Sequence, residues 1–265
     1  MLDEVEVKPG TKARIAERDS DNTLGVDRKD GEKRLERLVE RLDALQYRLY
    51  AEDRRSVLLV LQGLDASGKD GVIRRVFEGV NPMGVSVTSF KAPVGVELQH
   101  DYLWRVHAAL PRRGTIGVFN RSHYEDVVAV RMHDIAPEPV WRARYGHIRE
   151  FERMLVDEGT TVLKVFLNVS REEQRTRLQE RIDDPTKRWK FRRDDLKVRD
   201  RFDDWVEAWD DALTETSTAW APWHVVPADR NWLKALVVAE LLVDALERLD
   251  PKLPEPEQGL EGLVV

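Results

Sequence analysis

Cysteine is missing from all 265 residues. With it go disulfides, thiolate nucleophiles and Cys-ligated metal sites. No run approaches eighteen apolar residues, so no membrane span is expected. The first ten residues, MLDEVEVKPG, lack a basic stretch followed by an apolar core and do not read as a signal peptide. A basic excess is missing too: the net charge is −6, which argues against a general nucleic-acid binder. No internal repeat is found. These absences leave a soluble, cytoplasmic protein as the expectation. What is present is 42% hydrophobic residues, enough for a core, and 35% charged residues for a densely ionic surface.

Residues 1–28 are polar and aperiodic and read as an extended N-terminal arm. Leucines 35, 38, 42, 45 and 49 form one apolar stripe on a helix. The stripe suits packing on the same domain, with an oligomer contact as the alternative. Beyond it, strands and helices alternate. SVLLVLQ (56–62), VSVTSF (85–90), TIGVF (115–119), TVLKVFLNV (161–169) and WHVVP (223–227) are the strand-like runs. Helical stretches are expected at 70–79, 96–109, 141–157, 171–182, 195–217 and 230–248. This order implies an α/β domain over 29–250, with a central parallel five-stranded sheet, helices on both faces, and ligands at the carboxyl ends of the strands. The Pro-rich tail, 251–265, reads as loose.

The first strand runs into GLDASGKDG (63–71). Gly63, Gly68 and Lys69 have the spacing of a phosphate-binding loop, in the required setting between an apolar strand and a helix. Glycines let successive N–H groups face phosphate oxygens, the helix start adds positive potential, and Lys69 supplies a mobile charge. The position that ordinarily carries a magnesium-binding hydroxyl is Asp70. Carboxylates beside an anionic chain are tolerable when a cation lies between. Asp65 therefore reads as a magnesium ligand, and Asp70 as either a ligand or a helix cap.

After TIGVF comes NRSHYEDVVAVR (120–131). Asn120 stands where a magnesium-positioning Asp is common, and Arg121 offers a planar fork to phosphate. Glu125 and Asp126 could position a metal, water or acceptor hydroxyls, or cap the helix. His123 and Tyr124 suit packing or acceptor contacts. Lys91, in SFKAP (89–93), either meets an acceptor phosphate or is a surface lysine. Segment 171–193 holds nine Lys/Arg against five acids, a reversal of sign in an acidic chain. Arg177 and Arg181 share one helix face. A lid closing over phosphates (about 171–195) competes here with a solvated charged helix.

GLDASGKDG, SFKAP, FNRSHYEDV, DDPTKRWKF and TSTAWAPWHVVPADRNW together resemble the second family of polyphosphate kinases, from about Leu35 to Leu249. The resemblance implies a three-layer P-loop kinase fold of the thymidylate-kinase type with a helical lid. It implies reversible transfer of a terminal phosphoryl group between inorganic polyphosphate and a nucleotide, with magnesium or, in its place, manganese. By position, Asp65, Lys69 and Arg121 would be catalytic. The loop (Gly63, Ala66, Ser67, Gly68, Lys69, Asp70), Arg121 and lid cations Arg177, Arg181, Lys187 and Arg188 would bind the phosphate chain. Lys91, Asn120, Glu125 and Asp126 would face the acceptor nucleotide, with Asp65 and Asn120 at the metal. Asn120 with Glu125 resembles the subgroup acting on both mono- and diphosphates, and the family's habit of assembling implies a homo-oligomer, dimer or tetramer. The alternatives are an ATP-dependent nucleoside monophosphate kinase of the same fold and a non-catalytic polyphosphate binder.

Overall fold

The computed structural model describes residues 1–260; positions 261–265 of the predicted tail lie outside the described residues. The elements are α1 (Leu2–Val5), β1 (Glu6–Val7), α2 (Arg28–Glu52), β2 (Ser56–Gly63), α3 (Lys69–Val76), β3 (Val85–Ser89), α4 (Trp104–Ala108) and β4 (Ile116–Asn120). Then follow α5 (Glu125–Met132), α6 (Glu138–Asp157), β5 (Thr160–Asn168), α7 (Arg171–Asp183), α8 (Asp194–Asp200), α9 (Phe202–Thr216), β6 (Trp223–Pro227) and α10 (Asn231–Leu249). Among the described residues no helix is long and apolar enough to cross a membrane.

The sheet order is β1-β6-β5-β2-β4-β3. Strands β2 to β6 are mutually parallel, and β2 is buried along its whole length, as an unbroken apolar run in a doubly covered sheet should be. The expected five strands are joined by a sixth. Glu6 and Val7 pair antiparallel with His224 and Trp223, so the arm adds an edge strand rather than trailing free. Two residues from an acidic segment carry no alternating pattern, which is why the sequence hides them. Helices α2, α3 and α10 cluster together, and α5, α6 and α9 form a second group. Four of the five leucines in the α2 stripe are buried as α2 lies along α10, so the stripe serves the chain's own core.

Two predicted helices are broken. The 96–109 stretch splits into a 3-10 turn and the short α4, and 195–217 divides at Arg201 (φ −104°, ψ 30°) into α8 and α9. After β1, the arm runs back toward the start of α10. The backbone N–H of Asp229 donates to Ser20 O (3.1 Å), and Ser20 Oγ donates to Asp229 Oδ2 (3.1 Å).

Chain order reverses beside β2: β3 and β4 lie on one side, β5 and β6 on the other. The crevice outside the carboxyl ends of the strands at such a point is where ligands of open α/β sheets sit. The turn leaving β2 is the predicted phosphate loop.

Candidate active site

A loop that aims its N–H groups at a ligand must turn its carbonyls away, and those carbonyls need donors of their own. Side chains supply every one from residue 63 to residue 67. Lys69 Nζ donates to Gly63 O (2.6 Å) and Leu64 O (3.3 Å), and Gln174 Nε2 donates to Asp65 O (3.1 Å). Arg177 Nη1 donates to Ala66 O (3.0 Å) and Ser67 O (3.1 Å), and Lys234 Nζ donates to Ser67 O (2.7 Å). Backbone φ is +63° at Ala66 and +98° at Gly68, the left-handed values that fold the turn. Ser67 is fully buried in the loop. Burial, then Arg121, pushes the Lys69 ammonium down to about 8 against the opposing carboxylates of Asp65, Glu125 and Asp70.

Arg121 begins the turn after β4 with φ +64°, an uncommon conformation for a long side chain, held by its N–H on Leu61 O (3.1 Å). The turn swings its guanidinium onto the Asp65 carboxylate, with Glu125 Oε2 3.5 Å from Nη1 on the other side. Glu125, ahead of the opposing effect of burial, and Asp65 raise the Arg121 guanidinium further above neutrality, so its charge is permanent. Asp70 accepts from Asn120 Nδ2 (2.8 Å) and lies 3.5 Å from Lys190 Nζ. Burial alone would lift Asp70; the Asn120 bond and the Lys190 charge outweigh it and hold the carboxyl below its ordinary value. An aspartate at 120 would set two carboxylates against each other, so Asn120 and Asp70 are complementary.

These groups share a cleft of about 760 Å³ lined by eight Lys/Arg and four Asp/Glu. The loop contributes Asp65, Lys69 and Asp70; the SFKAP segment contributes Lys91; and the segment from α7 to α8 contributes Arg181, Lys187, Trp189, Lys190 and Arg192. Arg181 is only loosely paired, 3.8 Å from Asp195.

Of the predicted residues, Gly63, Ser67, Glu125, Asp126 and Arg188 are absent from the cleft lining, and Arg177 lines it with its donors engaged. Arg177 lines the cleft, but its five N–H groups are all committed to protein acceptors: Nε to Glu173, Nη1 to the loop, and Nη2 to Ala228 O (2.8 Å) and Asp229 O (2.7 Å). Asp126 stands outside the cleft, buried against Arg105 Nη2 (3.3 Å), whose Nη1 donates to Lys91 O (2.7 Å). It therefore braces the Lys91 loop from behind. Arg188 donates from Nε to Ile182 O (2.7 Å) and is absent from the cleft lining. His123 and Tyr124 lie in a buried cluster where Tyr124 Oη donates to Glu152 Oε1 (2.8 Å) and Lys164 Nζ donates to Glu152 Oε2 (2.6 Å).

A model of the polyphosphate kinase 2 family matches residues 25–254. The chain belongs to the polyphosphate kinase 2 family. Its fold is shared with a crystal structure of polyphosphate kinase 2 from Arthrobacter aurescens, at TM-score 0.93 and 40% identity over 97% of this chain and 93% of that one. It is 56% identical over 228 residues to a Meiothermus ruber protein named AMP/ADP-polyphosphate phosphotransferase, covering 86% of this chain and 85% of the relative. A Rhodopseudomonas palustris protein named ADP-polyphosphate phosphotransferase is 47% identical over 229 residues, 82% of this chain and 79% of the relative.

In this member of the family, no three His, Cys, Asp or Glu residues gather into a metal cage among the described residues. Magnesium asks for less, since one or two carboxylates plus substrate phosphates and water complete its shell. Asp65, Asp70 and the side-chain amide oxygen of Asn120 line one cleft and fit that demand. The residues that sequence reasoning missed are Gln174, Lys234 and Arg105, whose polar tips all reach main-chain carbonyls. Only Gln174 left a trace, being three positions before Arg177 and so on the same helix face.

Proposed function

We propose that this chain transfers the terminal phosphoryl group of inorganic polyphosphate to a nucleoside mono- or diphosphate, reversibly and with magnesium or manganese. The observation that carries this reading is the form of the cleft. A phosphate loop at one end continues into the lid cations Arg181, Lys187, Lys190 and Arg192, a length of positive charge suited to a chain of phosphates. The Meiothermus ruber relative, named for both AMP and ADP, supports an acceptor range that includes both.

Phosphoryl transfer needs position and charge more than acid–base chemistry, because the attacking acceptor phosphate oxygen is already ionised near neutral pH. The amides at Gly68 and Lys69 and the helix start of α3 would hold the phosphates next to the scissile bond. Lys69 would leave the Gly63 and Leu64 carbonyls to follow the moving charge, and Arg121, braced by Asp65 and Glu125, would meet the transferred group. Lys91 would contact the acceptor. Asp65 and Asp70 with the Asn120 side-chain amide oxygen would hold magnesium, which when bound neutralises phosphate oxygens. The lid cations would exclude water, so that transfer outcompetes hydrolysis.

The decisive experiment supplies purified protein and magnesium with long-chain polyphosphate or ATP as donor and AMP or ADP as acceptor, resolving nucleotides by chromatography. ADP and ATP should form from polyphosphate. Product from ATP plus AMP but never from polyphosphate overturns the reading.

Two variants separate the ends of the cleft. Arg181→Ala should raise the KM for polyphosphate about tenfold, the worth of one charge-assisted hydrogen bond, and leave the acceptor KM unchanged. Arg105→Met should do the reverse by freeing the Lys91 loop, raising the acceptor KM about tenfold. Steady-state kinetics with each substrate varied in turn checks both.

A further inference from the structure

Beneath the phosphate loop lies a cation with no part in the transfer as just described. Lys234, near the start of α10, is 1% exposed, and its ammonium donates to Ser67 O (2.7 Å) and Ala228 O (3.1 Å). Both carbonyls already receive N–H groups from Arg177, at 3.1 Å and 2.8 Å. Lys234 is therefore not required to keep either from being orphaned. Its neighbours Leu233, Ala235 and Leu236 are buried apolar residues, so an aliphatic side chain would suit this part of the helix. A buried ammonium in that setting is a standing cost, and the surplus it brings is charge. A Cβ added to Gly68 would stand 2.4 Å from Lys234 Nζ. Gly68 thus has the cleft on one side and Lys234 against the other, with one backbone thickness between the cation and a bound phosphate.

We propose that Lys234 is a positioning residue for the donor phosphates, holding the Ser67–Gly68 peptide from below and adding positive potential through the loop without touching substrate. This rests on the transfer reaction proposed above and assigns that reaction a second loop lysine behind Lys69. The charged groups around it are Arg177 and Glu173 from α7, Asp229 before α10 and Lys69 from α3. Burial first, then Arg177, pushes Lys234 down to about 7 in the free protein, against Glu173 and Asp229. An anionic chain entering the cleft reverses that balance, and a proton is taken up.

The test compares wild type with Lys234→Met, which keeps the length and drops the charge. Inorganic tripolyphosphate binding is measured by calorimetry near pH 7.5 in buffers of different ionisation enthalpy, which counts protons exchanged. Wild type should take up more protons than the variant, and the difference is the share of Lys234. The variant should turn over at least about tenfold more slowly, with the acceptor KM within about twofold of wild type. Equal turnover and equal proton uptake overturn the proposal, and so does slower turnover with unchanged uptake, which would make Lys234 a packing residue. Should Lys234→Met fail to fold, Lys234→Gln keeps two N–H donors without the charge and carries the same comparison. Wild type that binds tripolyphosphate with proton uptake but never turns over counts against the transfer reaction, while the uptake difference still decides Lys234.

Discussion

Lys69→Met is expected to lower turnover by on the order of 10³-fold while leaving a folded protein, because the lost charge acts where phosphoryl charge moves in the transition state. The native position shows what this lysine gives up for its task. It is buried, and its ammonium is pushed down to about 8 from an ordinary 10.5, chiefly by burial and then by Arg121. Below pH 8 both folded and unfolded chains hold the proton, and the folded chain carries the full cost of a buried charge. Between about 8 and 10.5 the unfolded chain binds more protons than the folded one, so this lysine's contribution to stability improves as pH rises through that window. The methionine variant lacks this dependence. Its unfolding midpoint, compared with wild type, should be most favourable below pH 8 and lose ground steadily up to 10.5. Paired thermal melts across that range check the trend, and a variant that turns over normally removes Lys69 from the mechanism.

Arg177→Ala should destabilise the protein by about 3–5 kcal/mol, a loss typical of breaking a buried, hydrogen-bonded charge. Substitution leaves Ala66 O and Asp229 O without their arginine donor, and it severs a side chain that ties the phosphate loop and the turn before α10 to α7 at once. Arg177→Lys should fare little better, since one ammonium cannot reproduce a planar fork serving four carbonyls. Denaturant unfolding measures the loss. The contrast with Arg181→Ala is the informative part, because that variant should melt like wild type and differ only in its demand for polyphosphate. If both variants melted alike and shifted only the polyphosphate KM, Arg177 would be a substrate contact after all.

How far the sequence revealed this site depends on what kind of group does the holding. The five parallel strands were legible to within a residue or so, because each is an apolar or β-branched run with a strong period and a clear end. The loop was legible because Gly63, Gly68 and Lys69 must recur at a fixed spacing whatever surrounds them. Arg105, Gln174 and Lys234 were not. Each reaches a main-chain carbonyl, and since every residue has one, no side-chain pattern at residues 65, 67 or 91 announces a partner. Arg177 has a second part that stayed hidden for a related reason. Its position on a basic helix reads as substrate binding, and only the fold shows that, while lining the cleft, it also ties loop and turn carbonyls together. Asp126 followed Glu125 at a helix start, but helical rotation sends adjacent residues to different faces, one toward Arg121 and the other toward Arg105. The break at Arg201 fell inside a single amphipathic stretch and left no proline or glycine to mark it.

The arm that adds β1 returns to the turn before α10, where Ser20 grips Asp229. Asp229 is also where Arg177 and, one residue earlier, Lys234 take hold of the backbone. The family match begins at residue 25, so this outer buttress comes from residues that precede the matched segment. The phosphate loop is therefore braced in part from the N-terminal arm, some two hundred residues away in the chain from the turn it grips. A lineage could tighten or slacken its phosphate loop by editing residues 18–21 and leave every cleft-facing side chain untouched.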